Sequence, residues 1–154
     1  MRAVRLLWCF LLATVGGCAA RAATICDLQP PAYDGKRILL NTRMLFTMHG
    51  TYLLGDKCPG KSQHSAALLF PGDEGAPQVP FALDPSAIPR LRPFYRLTGG
   101  SAIACAVVSG EVIYKKGFRL RHIDGVPTGN GYGEDGRLQR AFILEAVQEI
   151  HGCE

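Results

Sequence analysis

Residues Gly55 to Ser62 read GDKCPGKS, a match to the phosphate-binding pattern G-x-x-x-x-G-K-[ST]. In such a loop, backbone N–H groups and the first turn of a following helix surround phosphate, with the Lys and Ser as phosphate and magnesium ligands. Three features of the chain argue against that chemistry. Pro59 has no N–H and removes one donor from the loop. The stretch QHSAALLF reaches Pro71-Gly72 after barely two turns, and no hydrophobic run ending in Asp offers the partner that would hold a metal. The segment is therefore read as a turn carrying a half-cystine at Cys58, and no nucleotide is expected.

His122 and Asp124 form an H-x-D pair that could orient an imidazole as a general base. A nucleophile to go with it is missing: Ser101 and Ser109 lie in no G-x-S-x-G elbow, and oxidised cysteines offer no thiolate. A hydrolase using His122 and Asp124 is thus the alternative reading, and a surface His beside a turn Asp the leading one. His49, His64 and His151 are scattered along the chain, so neither a metal nor a cofactor is expected.

Cations interleaved with aromatics are the third pattern. Arg90, Arg92 and Arg96 alternate with Phe94 and Tyr95, while Lys115, Lys116, Arg119 and Arg121 surround Tyr114 and Phe118. Arrangements of this type hold anionic or single-stranded ligands by combining charge with stacking. The plainer alternative is that each run is a solvated strand face with its aromatics turned inward. Seventeen basic residues stand against thirteen acidic ones. Two of the bases, Arg2 and Arg5, belong to a leader, and the mild excess that remains implies no nucleic acid. Any anionic ligand of the envelope must be held by local clustering.

Arg2 and Arg5 precede an uncharged apolar run, Leu6 to Val15, about half the length of a membrane-spanning helix. This is a signal peptide, assigned to residues 1–18. Val15-Gly16-Gly17-Cys18 resembles the bacterial lipobox, in which Cys18 would receive a diacylglycerol and anchor the protein to a membrane. The alternative is cleavage near Ala22, after Ala20-Arg21-Ala22, which would release a soluble periplasmic or secreted protein. No Asp follows Cys18, and by resemblance to bacterial lipoproteins that places the expected anchor in the outer membrane, facing the periplasm.

With Cys9 in the leader and Cys18 as the lipidation site, Cys26, Cys58, Cys105 and Cys153 remain. An even count in an oxidising compartment reads as two disulfides, and no C-x-x-C spacing suggests zinc. Four cysteines allow three connectivities. Positions along the chain favour Cys26 with Cys153, tying the ends together, and Cys58 with Cys105 inside the folded region.

These residues must be positioned by one domain, since the length left after the leader suits a single modest core. Residues 19–35 read as a lead-in and 36–154 as the domain. In KRILLNTRMLFTM, Ile38, Leu40, Met44, Phe46 and Met48 share one parity while Arg37, Asn41, Arg43 and Thr47 share the other, the period of a half-buried strand. TYLL reads as a short returning strand and HSAALLF as a third. From Pro71 to Gly100 the chain is rich in Pro and Gly, with a turn or two of helix after a capping Asp84. SAIACAVVSGEVIY resumes strand character with a bulge at Gly110, and KKGFRLRHID continues it raggedly. Residues 125–136 read as a flexible loop, a possible mobile rim or a protein-binding surface. RLQRAFILEAVQEI suits either a strand or a helix, and a strand is preferred.

Together, CAVVSGEV, GYG and LQRAFILEAV resemble segments of uncharacterised exported bacterial small β-domains of OB-like architecture. The resemblance spans roughly the last third of the chain and implies a five-stranded barrel with a helix or long connection between its third and fourth strands. Where that group's pattern has a His after Gly-Tyr-Gly, this chain has Glu134. The group has no established activity. The expectation is a mostly-β, disulfide-bonded OB-like module that binds or supports something in the cell envelope without catalysis. An envelope inhibitor or accessory subunit that binds another protein is the alternative.

Overall fold

The computed structural model describes residues 22–29, 32–55, 57–59, 65–95 and 100–153. Within them the chain forms β1 (Ala23–Thr24), β2 (Lys36–Thr47), β3 (Gly50–Leu54), β4 (Ala66–Leu69), α1 (Ala87–Tyr95), β5 (Ala102–Tyr114), β6 (Leu120–Ile123), β7 (Val126–Gly129) and β8 (Arg140–Gly152). The leader, Cys18, Lys61, Ser62, His64 and Arg96 lie outside the described residues.

Five strands close a barrel in the order β2-β3-β4-β8-β5, with β5 returning to pair with β2. The β4–β8 pair is parallel and the others are antiparallel. With α1 inserted between the third and fourth barrel strands, this is the OB-like plan read from the sequence. Alternation builds the interior: Leu40, Met44 and Phe46 from β2 meet Ala104, Val108 and Val112 from β5, and Phe142 and Leu144 from β8. Met48, placed by parity on the inner face, instead ends up in the β2–β3 turn and is 86% exposed.

The last segment is a strand, but an irregular one. Its register against β5 slips twice, leaving Glu145 and Gln148 as extra residues in β8. Such bulges free backbone groups from the ladder. Both freed carbonyls are used by the α1 segment: Glu145 accepts the Asp84 N–H at 2.6 Å and Gln148 accepts Arg90 Nη1 at 2.7 Å. α1 thereby sits over one end of the barrel with Ala87 and Leu91 buried and Phe94 stacked on Phe46.

The helix begins as its residue types require. Asp84 accepts the Ser86 N–H at 2.7 Å, and its carbonyl receives the Ala87 N–H. The backbone bond from Ser86 is the main reason its carboxyl lies below the usual Asp range. A carboxylate lowered on folding stabilises above its unfolded pKa and loses that contribution as pH falls through the folded value. Asp84→Asn should therefore be less stable than the parent at neutral pH, with the two converging in acid, as read from urea midpoints across pH.

The lead-in is part of the packed unit. Leu28 and Ile25 are buried, β1 pairs in parallel with Leu40 and Asn41, and the Leu28 carbonyl accepts Arg140 Nη1 at 2.6 Å. The Pro-rich connection also packs. Val79 and Phe81 join Leu69, Ile113, Ala141 and Ile143 in a second small apolar cluster. There Arg37 lies over the Phe81 ring while pairing with Glu145.

The expected disulfide connectivity is overturned. Cys26 is joined to Cys58 and Cys105 to Cys153, with Cα separations of 5.3 and 5.1 Å. Register explains both. Cys105 stands opposite His151, so Cys153, two residues further, falls on the same face of the sheet. β5 occupies one edge of β2, so β1 and β3 share the other. The turns that follow them, carrying Cys26 and Cys58, therefore meet.

Candidate functional site

Between β5 and β8, where a ragged strand extension and a flexible loop are expected, residues 120–129 hold two paired strands and 130–139 stay irregular. β6 and β7 form a ribbon of their own, with Ile123 paired to Val126 across Asp124-Gly125. Both turn residues have positive φ, 52° and 80°, as a two-residue turn matching the strand twist requires. Asn130 closes the base of the ribbon: its Oδ1 accepts the Arg119 N–H at 2.8 Å and its Nδ2 donates to the Gly117 carbonyl. The glycines that follow are packed. A Cβ on Gly131 would lie 2.1 Å from the Leu138 carbonyl oxygen, and the Gly131 N–H donates to Gly136.

This ordered excursion makes one wall of a trough whose other wall is the outward side of β2 and β3. Two adjoining clefts compose it, of about 360 and 340 Å³, and they share Ser65, Arg137 and Leu138. The first contains Phe118, Leu120, His122 and Pro127; the second contains Leu45, Leu54 and Tyr52. Outward parity on β2 and β3 explains the second set, because Leu45 faces Tyr52 across the pair while Leu53 and Met44 fill the core.

Polar groups tie the walls together. Glu134 lies 3.7 Å from His49 Nδ1 and 3.5 Å from Arg137 Nη2, and its N–H donates to the Tyr52 hydroxyl. Arg137 also pairs with Asp135 at 2.9 Å, so its charge is locally balanced. At the far end Arg140 is buried, which pulls its pKa down, and the neighbouring Tyr114 phenol opposes that shift. Burial pushes the Tyr114 hydroxyl up.

The residues singled out in the sequence do not assemble as one site. Arg90 braces α1 against β8, and Tyr95 shares a 2.7 Å hydrogen bond with Thr51 and sits edge-on to Phe46. Arg92 is exposed on the same helix. These precede β5, whereas Lys115, Lys116, Arg119 and Arg121 follow it. A 13-residue strand spans about 40 Å if straight, so the two clusters are held apart. Tyr114 does not stand among the exposed cations; it points into the barrel.

His122 does reach the trough, but Asp124 sits at the ribbon tip, and no hydrogen bond joins them among the described residues. Its positive φ shows Asp124 acting as the turn residue. After GDKCPGKS the chain enters β4, a strand, so the helix start that a phosphate loop needs does not follow. Among the described residues no group of three His, Cys, Asp or Glu side chains could hold a metal. Tyr52, His49, Glu134 and Arg137 were not anticipated. The Asp124-Gly125 dipeptide between apolar residues was the signal for the ribbon, which lines the adjoining cleft.

Compared with protein families, curated proteins and solved structures, the chain matches none. The two disulfides indicate an oxidising compartment outside the cytoplasm. No helix among the described residues is long and apolar enough to cross a membrane.

Proposed function

We propose that this protein is a non-catalytic binding module of the bacterial cell envelope, held at the outer membrane by a diacylglycerol on Cys18, that receives an extended envelope glycan in the trough. The observation that carries the reading is that the two clefts meet at Ser65, Arg137 and Leu138, with Tyr52 in one and Phe118 in the other. OB barrels take oligosaccharides and oligonucleotides along the face and loops that correspond to this trough. Sugar rings stack on aromatic side chains, and Ser65, His122 and Arg137 in the lining offer polar partners. Among the described residues no hydrogen bond joins His122 to Asp124, the pair a hydrolase would use, and that favours binding over hydrolysis.

The test is calorimetric titration with soluble anionic peptidoglycan fragments. Tyr52→Ala and Phe118→Ala should each weaken binding about tenfold, in line with the loss of one stacking contact. A joint Arg90→Gln and Arg92→Gln variant should bind as the parent does. Unchanged affinity in both aromatic variants, or loss confined to the arginine pair, would remove the trough from consideration. Mass spectrometry of the mature N-terminus separately tests the anchor: an acylated Cys18 is expected, and an unmodified start at Ala23 contradicts it.

A further inference from the structure

The β6–β7 ribbon has one face turned to the trough and one turned away from it. Register puts Leu120, His122 and Pro127 on the trough side, so Arg121, Ile123, Val126 and Thr128 share the outward side. Ile123 and Val126 flank the tip and are 56% and 48% exposed. Behind them come Arg121 and Arg119, and before the ribbon Lys115 and Lys116, all exposed. No carboxylate lies within ion-pair distance of these four cations among the described residues. Arg37 and Arg137, by contrast, are each paired.

We propose that the outward face of this ribbon docks on an anionic phospholipid surface, with Ile123 and Val126 entering the headgroup layer and Arg121 and Arg119 against the phosphates. Spacing along the ribbon fits that arrangement. At about 3.3 Å per residue, Arg121 lies roughly 7 Å and Arg119 roughly 13 Å behind Ile123, so an inserted tip brings the charges to the lipid surface. The apolar part is two side chains at the tip, Ile123 and Val126, far short of the roughly 20 to 30 residues per side in a stable protein interface. Shape therefore favours a bilayer over a protein partner. Asp124 at the tip opposes docking, one carboxylate against two cations. The surface is distinct from the trough and does not depend on a ligand there.

The experiment uses exported Cys18→Ala protein, so that no acyl chain contributes, in flotation with phosphatidylglycerol–phosphatidylcholine vesicles and with pure phosphatidylcholine vesicles. Binding to the first and not the second is expected, decreasing with salt. Arg119→Gln and Arg121→Gln should each weaken it roughly fivefold, and Asp124→Asn should strengthen it by a similar factor. Ile123→Ser with Val126→Ser should reduce it further, although both side chains are exposed and the melting temperature should hold. Val126→Trp should give an emission that shifts to the blue on vesicles. Absence of binding to the anionic vesicles at low salt overturns the proposal. So does equal binding by the tip variant, or retention on soluble polyglutamate with no dependence on Ile123, which would mark an acidic protein as the partner.

Discussion

Cys58→Ser is expected to release a free thiol at Cys26, leave the Cys105–Cys153 bridge intact, and lower stability by about 4 kcal/mol. The magnitude follows from the loops each bridge closes. Separations of 32 and 48 residues give nearly equal chain-entropy contributions of about 4 kcal/mol, since the dependence on length is logarithmic. Either is a large share of the roughly 5 to 15 kcal/mol that holds a domain together. The two losses differ in what they release. Without Cys26–Cys58, the turn carrying Ile25 and the buried Leu28 is held by the short β1 pairing and the Arg140 hydrogen bond. Without Cys105–Cys153, only the last residues of β8 can fray from β5. Alkylation with peptide mapping identifies the thiol, and urea unfolding gives the stability change. A thiol at Cys105 in the Cys58→Ser protein would contradict the connectivity.

How much of this could be read from the sequence depended on whether periodicity survived folding. β2 and β5 keep a period of two against each other over eleven paired residues, and their inner faces are the ones the alternation marks. β8 does not. Its inward residues are Phe142, Leu144, Val147 and Ile150, spaced two, three and three apart, because Glu145 and Gln148 are bulged out of the register. Three-residue steps imitate a helix, which is why the segment was ambiguous. Those bulges exist to meet α1, a partner some sixty residues earlier in the chain, and no local pattern carries that information.

The disulfides and the trough failed for a related reason. Pairing Cys26 with Cys58 requires knowing that a two-residue parallel strand lies beside β2 on the edge that β3 also uses. The contact of His49 with Glu134 joins a tight turn to a segment across the barrel wall. In the sequence-adjacent cluster Arg90 to Tyr95, Arg90 and Tyr95 brace the fold. The residues that line the trough are distant in sequence and individually unremarkable.

Gly110→Ala is expected to cost about 3 kcal/mol, near the upper range for overpacking, despite adding one methyl group. A Cβ there would lie 2.1 Å from the Ile143 carbonyl oxygen and 2.7 Å from the Phe142 ring. The site is where β5 and β8 change register, between Ser109 and Gly110. The strands approach closely there because Glu145 is displaced outward to reach Asp84 and Arg37. The ring could give way, but the carbonyl belongs to the backbone of the strand pair that joins two walls of the barrel. Relief therefore has to come from separating the strands. This distinguishes steric exclusion by the backbone from a simple packing defect. Combining Gly110→Ala with Phe142→Leu should not restore the parent stability, because the clash with the Ile143 oxygen remains when the ring is gone. Urea unfolding of the single and double variants measures both terms. Full recovery in the double variant would show that the ring alone, and not the close approach of the two strands, demands glycine at position 110.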